Sequence, residues 1–466
     1  MKTIFNKLLV SVVSTVLISV TSSASAADFT LPKYEKMVLE NGLTIYLMQQ
    51  DEVPLIDVVA IVKAGAVSDT KAGLAQVTAS NLLLGTKSLG RQAFQEKLDF
   101  IGAQTSSSAA LEYSVLSASL ASKDIDTVLP ILRDALLNPA FDQVEFEQQK
   151  SRYLADLERQ KESPRAKIGS FYNALLYGDH AYANSVSGTV DSVQTIELDD
   201  VKTFHRQWFS PRNSAVIVTG DIDPKAMAKK LKALFGAWEG EKVVANVSST
   251  LPVPKEAKVL LVNKSDATES TFLMGGPGIK RSNPDFVAVS VVNTILGGRF
   301  TSWLNDELRV NSGLTYGARS SFTSNKEGGS FVISTFTKTE TTTDAIDLAL
   351  KTYAKLWEQG IDAGTLDSAK AYVKGQFPPR YETSSDIAFL LAEMFVYDFD
   401  ESFINTFTQQ VNKLNVERSK DIIANYFPKQ NMQFVIVGKA ADIKESVKQY
   451  GKIIEVDIKD NSINLD

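Results

Sequence analysis

Apolar positions fall along the chain in short runs of two kinds. Residues 43–50 and 56–64 are rich in β-branched side chains and are separated by a polar turn holding Asp51, Glu52 and Pro54, which predicts a pair of strands. Residues 73–84 are small and apolar, suited to a buried helix. Over 91–101, Phe94, Leu98 and Ile101 recur on one helical face ahead of Gly102, a helix stop. Residues 113–120 return to strand chemistry. From 124 to 158 the chain is rich in Leu, Glu, Gln, Lys and Arg and predicts helix, interrupted only around Asn138 and Pro139. A strand at 215–219 and a helix at 224–235 follow.

The order then repeats. Between 240 and 258 the chain is polar and β-branched, holds Pro252 and Pro254, and shows no periodic apolar face. Beyond it, 259–262 reads as a strand, 286–296 as an apolar helix in the place of 73–84, and 353–359 and 365–374 as helices. Val216, Ile217, Val218, Thr219 and Gly220 precede one helix as Phe434, Val435, Ile436, Val437 and Gly438 precede another. The fold expected is α+β: two duplicated domains of about 220 residues, half of what remains after a 26-residue leader, each a mostly antiparallel sheet flanked by helices and facing its twin as a clamshell. The boundaries expected are 28–243 for the first domain, 244–257 for the linker and 258–461 for the second.

Composition changes this picture in three ways. The 466 residues are 44% hydrophobic and 22% charged, which suits packed domains and excludes disorder as the default. Residues 1–26 run from Lys2 and Lys7 through an apolar stretch to Ala24, Ser25 and Ala26, the pattern of a cleaved secretory signal. A retained membrane anchor is the competing reading, but the stretch is short and broken by Ser11, Ser14 and Ser19. Without cysteine there is no disulfide framework, thiolate metal site or lipid-anchor thiol, so a periplasmic location is expected. The leader holds two lysines and no acid; its removal takes the formal charge from −6 to −8, and no clustered Lys and Arg mark a nucleic-acid footprint.

Histidine limits the chemistry. The chain has two, His180 and His205, 25 positions apart and so never neighbours on one helical face. A helix-borne zinc peptidase site needs two His four residues apart, a third carboxylate ligand and a glutamate that activates the metal-bound water. Lone histidines without such partners read as structural.

Residues 73–86, with Gln76, Ala79 and Ser80, nevertheless resemble the segment that bears the inverted H-x-x-E-H motif in pitrilysin-type and mitochondrial processing peptidases. In that register Gln76 and Ser80 replace the ligand histidines and Ala79 replaces the general base. The likeness runs on through 141–164, where Asp156 stands at the third-ligand position, through His180, Ala181 and Tyr182, and through 209–213 to Gly220 and Asp221. It implies a degenerate zinc site. Loss of a positioned base costs about 10²- to 10⁴-fold in rate, and loss of the imidazoles forfeits most of a binding energy of about 10 kcal/mol.

Residues 296–309 and 313–316 resemble the C-domain signature of the same family. In its two-subunit members the chain without zinc lends an arginine and a tyrosine of this signature to its partner's active site. The matching residues are Arg309 and Tyr316: a guanidinium can fork onto a carbonyl or carboxylate, and a phenol can donate to a forming oxyanion. The same residues also read as an arginine paired with Glu307 or Asp306 near a helix end and a tyrosine starting a strand. Gly297 and Gly298 read either as a helix cap or as a glycine-rich loop that admits peptide.

The function expected is thus the non-catalytic subunit of a heterodimeric zinc metallopeptidase. It would bind no metal itself, would pair with a zinc-bearing homologous chain, and would help bind unfolded peptides as an added strand. Two alternatives remain: a periplasmic peptide-binding pseudoenzyme or scaffold with no hydrolytic role, and an active enzyme with a metal site rebuilt from Asp156 and other carboxylates.

Overall fold

The computed structural model describes residues 29–460, so the signal-like leader and the end of the second domain at 461 lie outside the described residues. Twelve strands form two sheets of six. The first holds β1 (Glu35–Val38), β2 (Thr44–Gln49), β3 (Leu55–Val62), β4 (Gln104–Ala109), β5 (Ser114–Ala121) and β6 (Ser214–Gly220), in the order β1-β2-β6-β3-β5-β4. The second holds β7 (Lys258–Asn263), β8 (Glu269–Pro277), β9 (Arg319–Ser324), β10 (Gly329–Lys338), β11 (Gln433–Gly438) and β12 (Lys452–Asp457), in the order β12-β7-β11-β8-β10-β9. Five strands of each sheet match one for one. In both, the strand that closes the repeat runs parallel to the strand that opens it, with Val216 opposite Ile45 and Phe434 opposite Val259.

The sixth strands differ, and the chain path explains why. After β11 the helix Ala440–Val447 carries the chain back across the sheet, so β12 pairs parallel with β7. After β6 the helix Pro224–Phe235 leads instead into the connection, and no helix or strand occurs before β7. The first sheet's edge is filled from the other side, by β1 in an antiparallel hairpin with β2.

The central strands are buried on both faces, which is why they read as unbroken apolar runs rather than alternating ones: β6 and β11 are buried along their whole lengths. One face of each sheet is covered by its own domain's helices. The other is covered by a helix from the opposite domain. Helix Pro164–Tyr177 sets Ile168, Phe171 and Leu175 on Leu260, Val262, Val435 and Val437 of the second sheet. Helix Ser384–Tyr397 sets Ile387, Ala388 and Leu391 on Met48, Val59, Ala215 and Ile217 of the first. Hydrogen bonds mark both crossings: the Tyr172 hydroxyl donates to the Phe331 carbonyl at 2.9 Å, and Thr219 Oγ1 to the Ser384 carbonyl at 2.9 Å. Separating the facing halves would expose at least six large apolar side chains, a cost on the order of 10 kcal/mol. The two domains therefore form one body.

Among the described residues no helix is long and apolar enough to cross a membrane. The predicted long helix is two, Ile125–Leu137 and Gln143–Gln160, parted at Asn138 and Pro139 by a bend in which Phe141 takes φ 45°.

Candidate functional site

Two regions hold the residues that the sequence singles out. The first is the helix Leu74–Asn81. It begins at Gly73, whose φ of +92° disfavours any side chain and where a Cβ would lie only 3.0 Å from the Gly188 Cα. Asp69 caps it, its carboxylate accepting from the Gly73 and Ala75 amides at 2.9 and 2.7 Å. Burial pushes the Asp69 carboxyl up to about 7, against the pull of those backbone bonds.

Gln76 and Ser80 lie four residues apart on the helix's half-buried face, as metal ligands would. Each is engaged within the chain. Gln76 Oε1 accepts from the Ala109 amide at 2.8 Å, pinning the helix to the end of β4, and Ser80 Oγ donates to the Val77 carbonyl at 2.9 Å. Ala79 is fully buried, so a methyl group packs where a glutamate would stand. Asp156, on helix Gln143–Gln160, pairs with Arg159 one turn on. An amide oxygen, a hydroxyl and a carboxylate, all bonded elsewhere, do not fit a zinc ion. No group of three His, Cys, Asp or Glu among the described residues is placed to hold a metal.

Both histidines serve packing. His180 Nε2 donates to the Ser248 carbonyl at 2.9 Å and so ties down the connection, while Nδ1 accepts from the Tyr182 amide at 3.1 Å. His205 Nε2 donates to the Leu136 carbonyl at 2.8 Å and its ring stacks on Phe209; burial lowers it from the usual histidine value to about 4.

The second region runs from 294 to 317. Helix Phe286–Asn293 widens into a π-helical turn, Thr294–Gly298, and a second π-helical stretch spans Asp306–Asn311; such wide turns recur at functional sites. A Cβ on Gly297 would lie 2.2 Å from the Ser320 amide nitrogen of β9, so this glycine is required by close packing. A Cβ on Gly298 would come no nearer than 3.2 Å, to the Asn293 carbonyl.

Arg309 does not pair with an acid. Glu307 is held by Lys355 Nζ at 2.6 Å and by Asn311 Nδ2 at 3.3 Å, and neither it nor Asp306 forms an ion pair with Arg309. The Arg309 guanidinium lies 4.7 Å from the exposed Phe300 ring. The simple ion-pair reading of the sequence is thus replaced by an arginine free to meet an outside group.

Tyr316 precedes β9 rather than starting it, and it is 82% exposed. Its loop is fixed from beneath: Thr337 Oγ1 donates to the Leu314 carbonyl at 2.7 Å and Thr335 Oγ1 to the Gly317 carbonyl at 2.9 Å. The Tyr316 ring stacks on Phe336, whose ring also carries the Arg165 guanidinium at 3.6 Å. Arg165 and Phe336 have no motif that would reveal them in the sequence; they meet only because helix Pro164–Tyr177 crosses to the second sheet. Asp69, four residues ahead of Gly73, could have been read as a helix cap. The structure brings Arg309, Tyr316, Gly297 and Gly298 into one segment, and no hydrogen bond or ion pair among the described residues joins that segment to helix Leu74–Asn81.

A duplicated α+β scaffold and a helix in the register of an inverted zinc motif, with Gln76, Ala79 and Ser80 at the motif's positions, define a metallopeptidase-like protein. Residues 47–190 match the family described as insulinase, peptidase family M16, and residues 195–373 match the peptidase M16 inactive domain. The chain belongs to peptidase family M16. A Helicobacter pylori protein named non-peptidase homolog YmxG is 28% identical over 80% of this chain and 86% of its own length. The same organism's zinc protease PqqE is 23% identical over 90% of this chain and 96% of its length. A peptidase M16 inactive domain from Pseudomonas fluorescens has the same fold, with a TM-score of 0.82 at 25% identity over 87% of this chain and 98% of that one. Because relatives of both kinds occur, the residues and not the family decide the chemistry.

Proposed function

We propose that this chain is the non-catalytic subunit of a heterodimeric zinc metallopeptidase acting on unfolded peptides in the periplasm. Its partner is a homologous chain with the histidines and glutamate that this one lacks, and the zinc belongs to that partner. This chain closes the chamber. Arg309 forks onto a substrate carbonyl or carboxylate, and the Tyr316 hydroxyl donates to the oxyanion that forms as water attacks. Peptide joins a sheet edge as an added strand. Gly297 keeps the π-helical turn tight against β9, and Gly298 faces the entry path.

The observation that carries this reading is the state of Arg309 and Tyr316: both sit on well-packed backbone, yet neither side chain has a hydrogen-bonding partner among the described residues. The test is peptidase activity on a mixture of unfolded peptides, with this chain alone and with the zinc-bearing chain added, beside zinc content by elemental analysis. Activity and zinc only in the mixture, with activity lost on Arg309→Ala or Tyr316→Phe, bear the proposal out. Zinc and cleavage by this chain alone would sink it. No cleavage by either preparation would leave a peptide-binding protein without a hydrolytic role.

A further inference from the structure

A cavity of about 470 Å³ opens where the two domains meet their connection. Its walls are Lys63 just beyond β3, the extended chain at 242–247, the turn between β9 and β10, and the end of helix Ser384–Tyr397. The volume lies within the range of about 300 to 1,000 Å³ typical of small-molecule sites, and its position between domains is a usual one.

The charges of this lining do not balance. Four cations face the cavity, Lys63, Arg212, Lys242 and Lys326, against three acids, Glu112, Glu327 and Asp398. One of the acids is paired elsewhere. Glu327 pairs at 3.1 Å with Lys280, which is outside the lining. Glu112 accepts from the Tyr182 hydroxyl at 2.6 Å and from the Lys326 backbone amide at 3.1 and 3.2 Å. Glu112 still faces the charge of Lys326, and Asp398 is shared by Lys63 Nζ at 2.9 Å and Lys326 Nζ at 3.0 Å, so two acids stand against the four cations. Among the described residues Arg212 and Lys242 have neither an ion pair nor a side-chain hydrogen bond.

The cations also crowd one another. Burial lowers Lys63 from the usual lysine value, and the charges of Lys326 and Lys242 press it the same way. The Lys63 ammonium lies over the Phe395 ring at 4.4 Å, on a wall that Val67, Val243 and Val247 make partly apolar. Uncompensated positive charge in a concave, low-dielectric wall concentrates potential. An ion with two or more negative charges fits this deficit better than a monovalent one.

We infer that this cavity binds a small multivalent anion, one bearing phosphate or several carboxylates, and that the ligand ties the connection to both domains through Lys242, Lys63 and Lys326. The inference is independent of the peptidase reading. Its test is calorimetric titration and thermal melting of the full chain with inorganic pyrophosphate in one arm and citrate in the other, ionic strength held constant with sodium chloride. One-to-one saturable binding is expected, with a melting point raised by roughly 2 °C at a hundred-fold excess over Kd. The arm that binds tells phosphate from carboxylate chemistry. Lys242→Ala lies in chain without helix or strand and leaves folding intact; it should weaken binding about ten-fold, while Lys229→Ala on helix Pro224–Phe235 changes nothing. No saturable binding in either arm, or binding untouched by both Lys242→Ala and Lys63→Met, overturns the inference.

Discussion

Helix Leu74–Asn81 and the segment 294–317, which continues from the matching helix Phe286–Asn293 of the second half, have gone opposite ways. In the first, the residues at the two ligand positions and the base position are used by the fold: Gln76 holds β4, Ser80 bonds its own helix and Ala79 is packed out of solvent, while Asp156, on helix Gln143–Gln160, forms a surface pair with Arg159. In the second, the backbone and Gly297 are tightly packed, while Arg309 and Tyr316 touch only the rings of Phe300 and Phe336 and make no side-chain hydrogen bond among the described residues. The degenerate positions are taken up by contacts within the chain, whereas the groups that the proposed role needs are left without hydrogen-bonding partners among the described residues. The contrast can be probed residue by residue.

The largest effect is expected from rebuilding the lost base. Ala79→Glu places a carboxyl in a fully buried position with no partner, and overpacking adds to desolvation, so a loss of about 3 kcal/mol or more is expected with no gain of zinc. Urea unfolding and elemental analysis measure both. Unchanged stability would mean that the helix retains room for its old chemistry.

Nearly as large is a pH effect in the first domain. His205 titrates near 4 in the folded chain against about 6.5 unfolded, so the unfolded state binds the extra proton between those values. Its contribution is complete above pH 6.5 and is lost as pH falls toward 4, by about 3 kcal/mol. His205→Gln should flatten the slope of unfolding free energy across that window; an unaltered slope would remove His205 as its source.

Next come the paired glycines. Gly297→Ala forces a methyl group into the β9 backbone and should cost about 2 to 3 kcal/mol, whereas Gly298→Ala should cost under about 1 kcal/mol. Equal costs would show that close packing does not distinguish the two.

How much of this could be read beforehand follows from what each part depends on. The strands at 43–50 and 215–219 and the closing pair at 216–220 and 434–438 were legible because burial on both faces makes them continuous apolar runs. β4 was not: its Gln104, Thr105, Ser106 and Ser107 are an edge strand held partly through hydroxyls, with Ser106 and Ser117 sharing a hydrogen bond at 2.8 Å. The reciprocal helices Pro164–Tyr177 and Ser384–Tyr397 left no local sign of which sheet they would cover. Arg309 and Tyr316 could be found by family likeness, but not the want of an ion pair at Arg309, which depends on Lys355, 48 positions from Glu307, taking that acid away.

The smallest change in stability is expected where the largest change in function is. Arg309→Ala and Tyr316→Phe remove groups that make no hydrogen bond in the chain, so each should shift unfolding by within about 0.5 kcal/mol. Removing a donor to a developing oxyanion costs about 10²- to 10³-fold in turnover, so in the mixture with the zinc-bearing chain Tyr316→Phe should lower kcat by that order with KM little changed. Arg309→Ala, acting on bound substrate, should raise KM as well. Arg165→Ala offers the finer cut. It removes the cation above Phe336 but not the phenol, so it should cost less than Tyr316→Phe, and Arg165→Lys should restore part of the loss because an ammonium can still sit over the ring. If instead Tyr316→Phe lowers stability and leaves turnover alone, the tyrosine belongs to the fold, and the difference between the two regions disappears.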